Sequence, residues 1–353
     1  MADITANHEL YMQRCLQLAQ LGNGTVAPNP MVGSVLVYNN RIIGEGYHQQ
    51  YGKAHAEVNC INNVQEAEKH LISKSTIYVS LEPCVHYGKT PPCADLIIYH
   101  KIPKVVVGCR DPFKEVDGKG IEKLQEAGID VTMGILEAEC KKLNKRFFTF
   151  HTKHRPYIIL KWAETANQFI GSHKSERLMI SSDTTNRLVH KWRSEEAGIL
   201  VGTNTAKLDN PSLNNRLWSG NQPVRIIIDK TLQLSKSLKI FDNSQRTIIF
   251  NLIKQKEEGN TVYYELNDKE ELLPHILSIC YQQNIQSILV EGGSKTLQTF
   301  IDKNLWDEAR VITNTKLTIA NGIPSPTLKN ARVVDTMMIG EERIVSFELT
   351  IDN

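Results

Sequence analysis

Apolar positions recur along this chain in two alternating rhythms. "ELYMQRCLQLAQLG" is apolar at helical spacing and stops on Gly22. "VGSVLVYNNRIIGEGYH" reads as two strands joined at Asn39-Asn40. The pattern then predicts a helix over 55–70, a strand in "STIYVSL", a helix over 92–100 and a strand in "KVVVGC". A helix in "GIEKLQEAG", a strand in "IDVTMGI" and a last helix over 136–148 complete the first half. Short apolar strands between helices imply a mostly parallel sheet covered on both faces.

The division between domains is expected in "NKRFFTFHTKHRPYIILKW", where an amphipathic helix ends, a basic stretch follows and Pro156 starts a new strand. Domains over 1–150 and 151–353 are expected. The second half predicts a strand at 157–162, a helix at 183–195, then strands in "AGILVG", "VRIIID", "TIIFN" and "TVYYEL". It continues with a helix at 269–283, a strand in "SILVEGG", a helix at 294–303 and strands near 309–316 and 344–351. This is a second α/β domain, with no internal repeat.

The length of 353 residues suits two domains with their own cores. Net charge is +2, without a long basic run, so no nucleic-acid footprint is indicated. No stretch approaches the ~18 apolar residues of a membrane span, and the N-terminus has neither a signal core nor a transit pattern. A cytoplasmic protein is expected. Seven irregularly spaced cysteines argue against a disulfide framework and leave metal binding or catalysis open.

The chemistry concentrates in "HAEVNCI" and "SLEPCVHYGKTPPC". His55, Cys84 and Cys93 supply one imidazole and two thiolates, a donor set that zinc prefers. Three protein ligands leave one tetrahedral position open, as in a catalytic site. Zinc lowers the pKa of water toward neutrality, and Glu57 is placed to take that proton and return it to a leaving amine. H-x-E followed by P-C and a second Cys is the zinc deaminase pattern, in which the Glu is no ligand. An isolated H-x-E is usually a helix surface, and two cysteines alone are usually buried filler. All four in this order favour the catalytic zinc. A structural zinc with His86 or Cys109 as fourth ligand is the competing reading. His48, on a Gly-flanked segment, reads equally as a pocket or a surface residue. Cys15, Cys60, Cys109, Cys140 and Cys280 read as packing. In the second half, "ILVEGGSKTLQTF" joins a strand, a carboxylate, two glycines and a helix start, which is either an anion site or a tight turn. No G-x-G-x-x-G with a downstream acid supports a Rossmann fold.

Eight residues separate Cys84 from Cys93, where nucleic-acid deaminases have C-x-x-C. Together with "APNPMVGSVLV", "GEGYHQQYGKAHAEV", "SLEPCVHYGKTPPCADLII" and "GCRDPF", this spacing resembles the bifunctional deaminase–reductase family of riboflavin biosynthesis. "PYIILKWAET", "HKWRSEEAGILVGTNTAKLDNPSLNNR", "PVRIIID" and "ILVEGG" extend the resemblance over nearly the whole chain. It implies a cytidine-deaminase-like three-layer αβα domain followed by a dihydrofolate-reductase-like α/β domain. It also implies deamination of a phosphoribosylamino-diaminopyrimidinone, then reduction of its ribosyl chain to ribityl. The expected cofactors are one Zn2+ per chain and NADPH. The partner is a phosphorylated small molecule, with no nucleic acid or membrane, and a homo-oligomer is compatible with it.

Carried over by resemblance, Asn29, His48 and Lys89 would bind the deaminase substrate. Arg193, Leu213, Arg216 and Glu291 would line the reductase substrate site, the two arginines as a paired grip on phosphate. Ala163, Met179, Thr205, Asp209 and the turn Gly293, Ser294, Lys295, Thr296, Leu297, Gln298, Thr299 would face NADPH. The chain departs from the family at Ala54 (usually Pro), at Asn167-Gln168 (usually an acid and Gly), at Met179 (usually Trp) and in "NTKLTIANGIPSPTL". Three other readings stay open: an active deaminase with a weak reductase, a nucleic-acid-editing deaminase, and a non-catalytic zinc-stabilised binding protein.

Overall fold

The computed structural model describes residues 2–87, 91–172 and 178–350. The chain forms two compact units, Met1–His154 and Arg155–Asn353. The first contains helix α1 (Ala2–Gln20), strands β1 (Gly33–Tyr38) and β2 (Arg41–Tyr47), α2 (Ala56–Asn62), β3 (Thr76–Leu81) and α3 (Cys93–Tyr99). It continues through β4 (Lys104–Cys109), α4 (Lys119–Glu126), β5 (Asp130–Met133), α5 (Glu137–Leu143) and α6 (Lys145–Lys153).

The sheet order is β2-β1-β3-β4-β5. β1 pairs antiparallel with β2 and β3, while β3, β4 and β5 run parallel. Alternate residues face opposite layers. Leu36, Ile77, Val79, Val105 and Val107 pack with Ile61, Ala94, Ile97 and Leu124 from α2, α3 and α4. Val35, Val37, Tyr78 and Val106 pack with Met12, Cys15 and Cys140 from α1 and α5. Near-continuous apolar strands are thus what a sheet covered on both faces requires.

Asn39 and Asn40 turn β1 into β2 with φ of 46° and 62°, a left-handed pair that asparagine tolerates. The helix expected over 55–70 stops at Asn62, and a 3-10 segment, Glu66–Lys74, follows. The helix expected over 136–148 is broken at Asn144. That side chain accepts from Met31 N and donates to Met31 O, both at 2.8 Å, and so spends itself on a distant backbone. α6 runs through residue 150, so the division falls at His154/Arg155 instead.

The second unit comprises β6 (Tyr157–Glu164), β7 (Phe169–Gly171), α7 (Asp183–Glu195), β8 (Gly198–Gly202), α8 (Thr203–Asp209), β9 (Val224–Ile228), β10 (Thr247–Asn251) and β11 (Lys256–Glu258). There follow β12 (Thr261–Glu265), α9 (Leu272–Gln282), β13 (Ser287–Val290), α10 (Ser294–Asp302), β14 (Glu308–Asn314), β15 (Ile323–Pro324), β16 (Ala331–Ile339) and β17 (Glu342–Leu349). Ten strands are ordered β11-β12-β10-β9-β8-β13-β6-β14-β17-β16. The strands from β12 to β14 in that order are parallel, and antiparallel strands close both edges. One face packs on α9 and α10 through Ile158, Leu160, Leu200, Val290, Leu277 and Phe300. The other packs on α7 through Ile159, Leu289, Val189 and Trp192. No helix among the described residues is long and apolar enough to cross a membrane.

Candidate functional site

In the first unit two helix starts converge. His55 is the N-cap of α2 and Cys93 is the first residue of α3. Cys84 follows the carboxyl end of β3, where open α/β sheets place ligands. His55 Nδ1 lies 3.5 Å from Cys84 Sγ and 3.4 Å from Cys93 Sγ. The Cys93 N–H points at Cys84 Sγ from 3.4 Å, and the Ala94 N–H donates to the Cys84 carbonyl at 3.2 Å. The three donor atoms lie within 4.8 Å of one another. One imidazole nitrogen and two sulfurs so gathered fit a zinc ion with a position left open.

Neither His86 nor Cys109, weighed as a fourth ligand, joins that group. His86 stacks edge-on against Phe113, and Cys109 Sγ donates to the Ser80 carbonyl. Contacts with Cys93 and His55 draw the Cys84 thiol down, toward the thiolate form. Glu57, in the first turn of α2, is 3% exposed. Burial pushes its carboxyl up, and His55 pulls it back. It neighbours the Cys93 thiol but is not one of the three converging donors.

His48 and Asn29 belong to the same cluster. His48 Nδ1 sits 3.0 Å from the Ala54 carbonyl, and its Nε2 3.1 Å from Asn29 Nδ2. The Nδ1–H tautomer satisfies both contacts and turns the Asn29 carbonyl oxygen away from His48. The His48 ring meets the His55 ring edge-on at 5.3 Å, and burial lowers the pKa of His48. Ala54, where the family usually has proline, thus contributes its carbonyl. Lys89 lies outside the described residues.

In the second unit Glu291 follows β13. Arg193 grips it with two parallel bonds, Nε to Oε1 at 2.7 Å and Nη2 to Oε2 at 2.6 Å. Arg193 Nη1 donates to the Asn214 carbonyl at 3.1 Å. Burial alone would raise the Glu291 carboxyl, yet Arg193, helped by Lys161, holds it at about 2. The expected two-arginine phosphate grip is therefore revised: the Arg193 fork is taken by Glu291. Arg216 is exposed, with Nη1 3.1 Å from Asn214 Oδ1. His190 stands between the two, accepting the Arg216 N–H at 3.1 Å, and burial and both arginines push it down to about 4.

Leu213 also departs from expectation. Its side chain is 2% exposed and packs beside Ala206 and Leu234, so it offers no side chain to substrate. Of the turn expected to face the cofactor, Leu297 faces the core, and Gln298 is bonded in both directions to Thr327. Ser294 donates to the Pro324 carbonyl. Lys295 and Thr299 are exposed.

Gly293, Thr205 and Thr296 do come together. A methyl on Gly293, whose φ is +70°, would lie 3.3 Å from Thr205 Oγ1 and 3.8 Å from Thr296 Oγ1. The small, open-backed end of α10 fits a phosphate-bearing cofactor. Ala163 lies at the half-buried end of β6, and Asp209 is exposed at the end of α8. Met179 is 60% exposed beside a cavity of about 450 Å³, lined also by Ile180, Ser182, Asn314 and Glu342.

Two groups were missed in the sequence. Lys161 interrupts the apolar run of β6, which was its signal, and its charge reaches Glu291. Glu82 is buried at 3% exposure just before Pro83-Cys84, and nothing in its residue type announces that.

Residues 5–109 match the family "Cytidine and deoxycytidylate deaminase zinc-binding region", and residues 156–321 the family "RibD C-terminal domain". The chain is 36% identical to the riboflavin biosynthesis protein RibD of Aquifex aeolicus, over 95% of this chain and 94% of that protein. It is 34% identical to the RibD of Escherichia coli over 88% of each. Among solved structures, the diaminohydroxyphosphoribosylaminopyrimidine deaminase/5-amino-6-(5-phosphoribosylamino)uracil reductase of Thermotoga maritima superposes with a TM-score of 0.88 at 36% identity, covering 98% of this chain and 99% of that one. Acinetobacter baumannii RibD gives a TM-score of 0.89 at 28% identity, covering 98% and 100%.

Proposed function

Because the chain belongs to the RibD family, bifunctional enzymes of riboflavin biosynthesis with a zinc deaminase domain and a reductase domain, we propose a residue-level division of its two reactions. The first unit hydrolyses the amino group from 2,5-diamino-6-(5-phosphoribosylamino)pyrimidin-4-one, releasing ammonia. The second reduces the ribosyl chain of that product to ribityl, taking hydride from NADPH. The convergence of His55, Cys84 and Cys93 beside buried Glu57 carries the reading.

His55, Cys84 and Cys93 hold one zinc, which supplies Lewis-acid activation of water when bound. Glu57 accepts a proton from the attacking water and delivers it to the departing amine. Its burial raises its proton affinity, which suits a group that must carry the proton between two steps. His48 fixes the Asn29 amide so that its carbonyl oxygen can accept from an amino group of the pyrimidine.

In the second unit Glu291, held ionised by Arg193, is an acceptor for ribose hydroxyls. Arg216 is the cation for the substrate phosphate. Gly293, Thr205 and Thr296 form the phosphate-facing end of the NADPH site. Ammonia release and NADPH oxidation, assayed separately on the purified chain, test the division. Ammonia without NADPH consumption, with the isolated intermediate supplied, would reduce the second unit to a scaffold.

A further inference from the structure

We infer that Glu82 is a positioning residue for the metal centre: it locks the Cys84 loop to the start of α4 and so sets the geometry of the thiolate ligands. Glu82 lies two residues before Cys84 and is buried. Its carboxylate collects four backbone N–H groups. Oε2 accepts from Asp111 at 3.2 Å and Gly118 at 3.0 Å, and Oε1 accepts from Gly120 at 2.9 Å and Ile121 at 3.3 Å.

Gly118 is the N-cap of α4 and has no side chain to cap it. Glu82 supplies that cap from outside, satisfying N–H groups of the first turn that would otherwise be orphaned. A carboxylate at a helix N-terminus is also favoured by the helix dipole.

The fit is close. A methyl on Gly120 would lie 2.1 Å from the Pro83 carbonyl oxygen, so α4 begins directly against the Pro83 backbone. The Glu82 N–H donates to the Cys109 carbonyl at 3.0 Å, which fixes the other side. From there the order passes along the chain. Pro83 leads to Cys84, whose carbonyl takes the Ala94 N–H and whose sulfur takes the Cys93 N–H. One carboxylate thus registers both sulfur ligands without touching either.

Glutamine in its place keeps one oxygen but turns an NH2 toward two backbone N–H groups. Two acceptor contacts become repulsive, so Glu82→Gln is not a mild change here. Aspartate keeps the charge but falls one methylene short, and should act in between.

The inference rests on the zinc reading above. The test uses the full chain, with zinc affinity measured by chelator competition and the ligand field read from Co2+ absorption. Glu82→Gln is expected to weaken zinc binding about 10- to 100-fold, the usual cost of losing outer support, and to shift the Co2+ bands. Glu82→Asp should fall between it and the parent. NADPH oxidation by the same preparations should hold, since the second unit is untouched.

Leu124→Ala on α4 is the control, because it loosens the same helix through the core without touching the carboxylate. Parent-like zinc affinity and Co2+ bands in Glu82→Gln would overturn the inference, as would an equal shift in Leu124→Ala. Should Glu82→Gln not fold, parent-like metal binding by Glu82→Asp overturns it. A parent chain that binds no zinc would instead sink the metal centre itself.

Discussion

Arg193→Ala separates a buried structural partner from a phosphate clamp. The pair it breaks is enclosed, with side-chain exposures of 12% for Arg193 and 8% for Glu291. Glu291 lies at about 2 against an ordinary 4.5. At about 1.4 kcal/mol per pH unit, that difference is about 3 kcal/mol of stability at pH 7. Removing one partner of a buried pair costs ~3–5 kcal/mol by the independent mutational scale, which agrees. The sign follows from a lowered folded-state pKa. The contribution is complete well above 4.5 and drains away as pH falls toward 2. The penalty of Arg193→Ala should therefore shrink by about 1 kcal/mol between pH 7 and pH 4. Without Arg193, burial pushes Glu291 upward, and protonation at acid pH relieves the variant further. All four tryptophans, Trp162, Trp192, Trp218 and Trp306, lie in Arg155–Asn353, so their fluorescence reads the unfolding of this unit alone. Urea titrations at the two pH values, followed by tryptophan emission, measure the cost. Ammonia release by the same preparations should stay at the parent rate. A penalty below about 1 kcal/mol, the same at both pH values, would make this an ordinary screened pair and refute the reasoning.

Glu57→Gln should keep zinc by elemental analysis and lose ammonia release by at least about 10²–10⁴-fold, the range of general acid–base assistance. Near-parent deamination would remove Glu57 from the mechanism. Cys84→Ser and Cys93→Ser should each lower the zinc content sharply, while Cys60→Ser, buried in the core, should not; equal losses in all three would argue against the ligand set. Arg216→Ala should lower reductase kcat/KM for the phosphorylated intermediate by roughly 10- to 150-fold, from ~1.5–3 kcal/mol of charge-assisted bonding, with lysine rescuing only in part. Unchanged kinetics would leave Arg216 as surface. Gln168→Gly should stabilise the second unit by about 1 kcal/mol, because Gln168 sits at φ +63°, where a side chain is unfavourable. A lower urea midpoint would contradict this.

Much of the fold was legible because strand and helix periods leave a direct trace. β10 and α7 fall where the pattern predicts, and the alternation of Val35, Leu36 and Val37 between two helix layers is the period of a strand. What escaped depends on distant partners. The break at Asn144 needs Met31, more than a hundred residues away in sequence. β16 was missed because most of its residues are exposed, so no buried face imprinted a rhythm on it. β7 and β15 are short and pair with each other across a long stretch of chain.

The two sites differ in legibility for a chemical reason. Zinc demands particular donor types, so His55, Cys84 and Cys93 declare themselves by identity and spacing. An arginine demands nothing so specific. Arg193 and Arg216 read alike in "KWRSE" and "NNRLW", yet one is buried in a fork on Glu291 and the other stands in solvent. Which anion each serves is decided by burial, since a buried guanidinium must satisfy its N–H groups inside the protein, whereas an exposed one can wait for a ligand. Glu82 completes the contrast. It is an acidic residue two positions from a proposed metal ligand, yet its partners are backbone N–H groups that every residue but proline possesses. A site residue whose partners are main chain has no counterpart in the sequence to betray it, so the support of a metal centre stays hidden even where its ligands are plain.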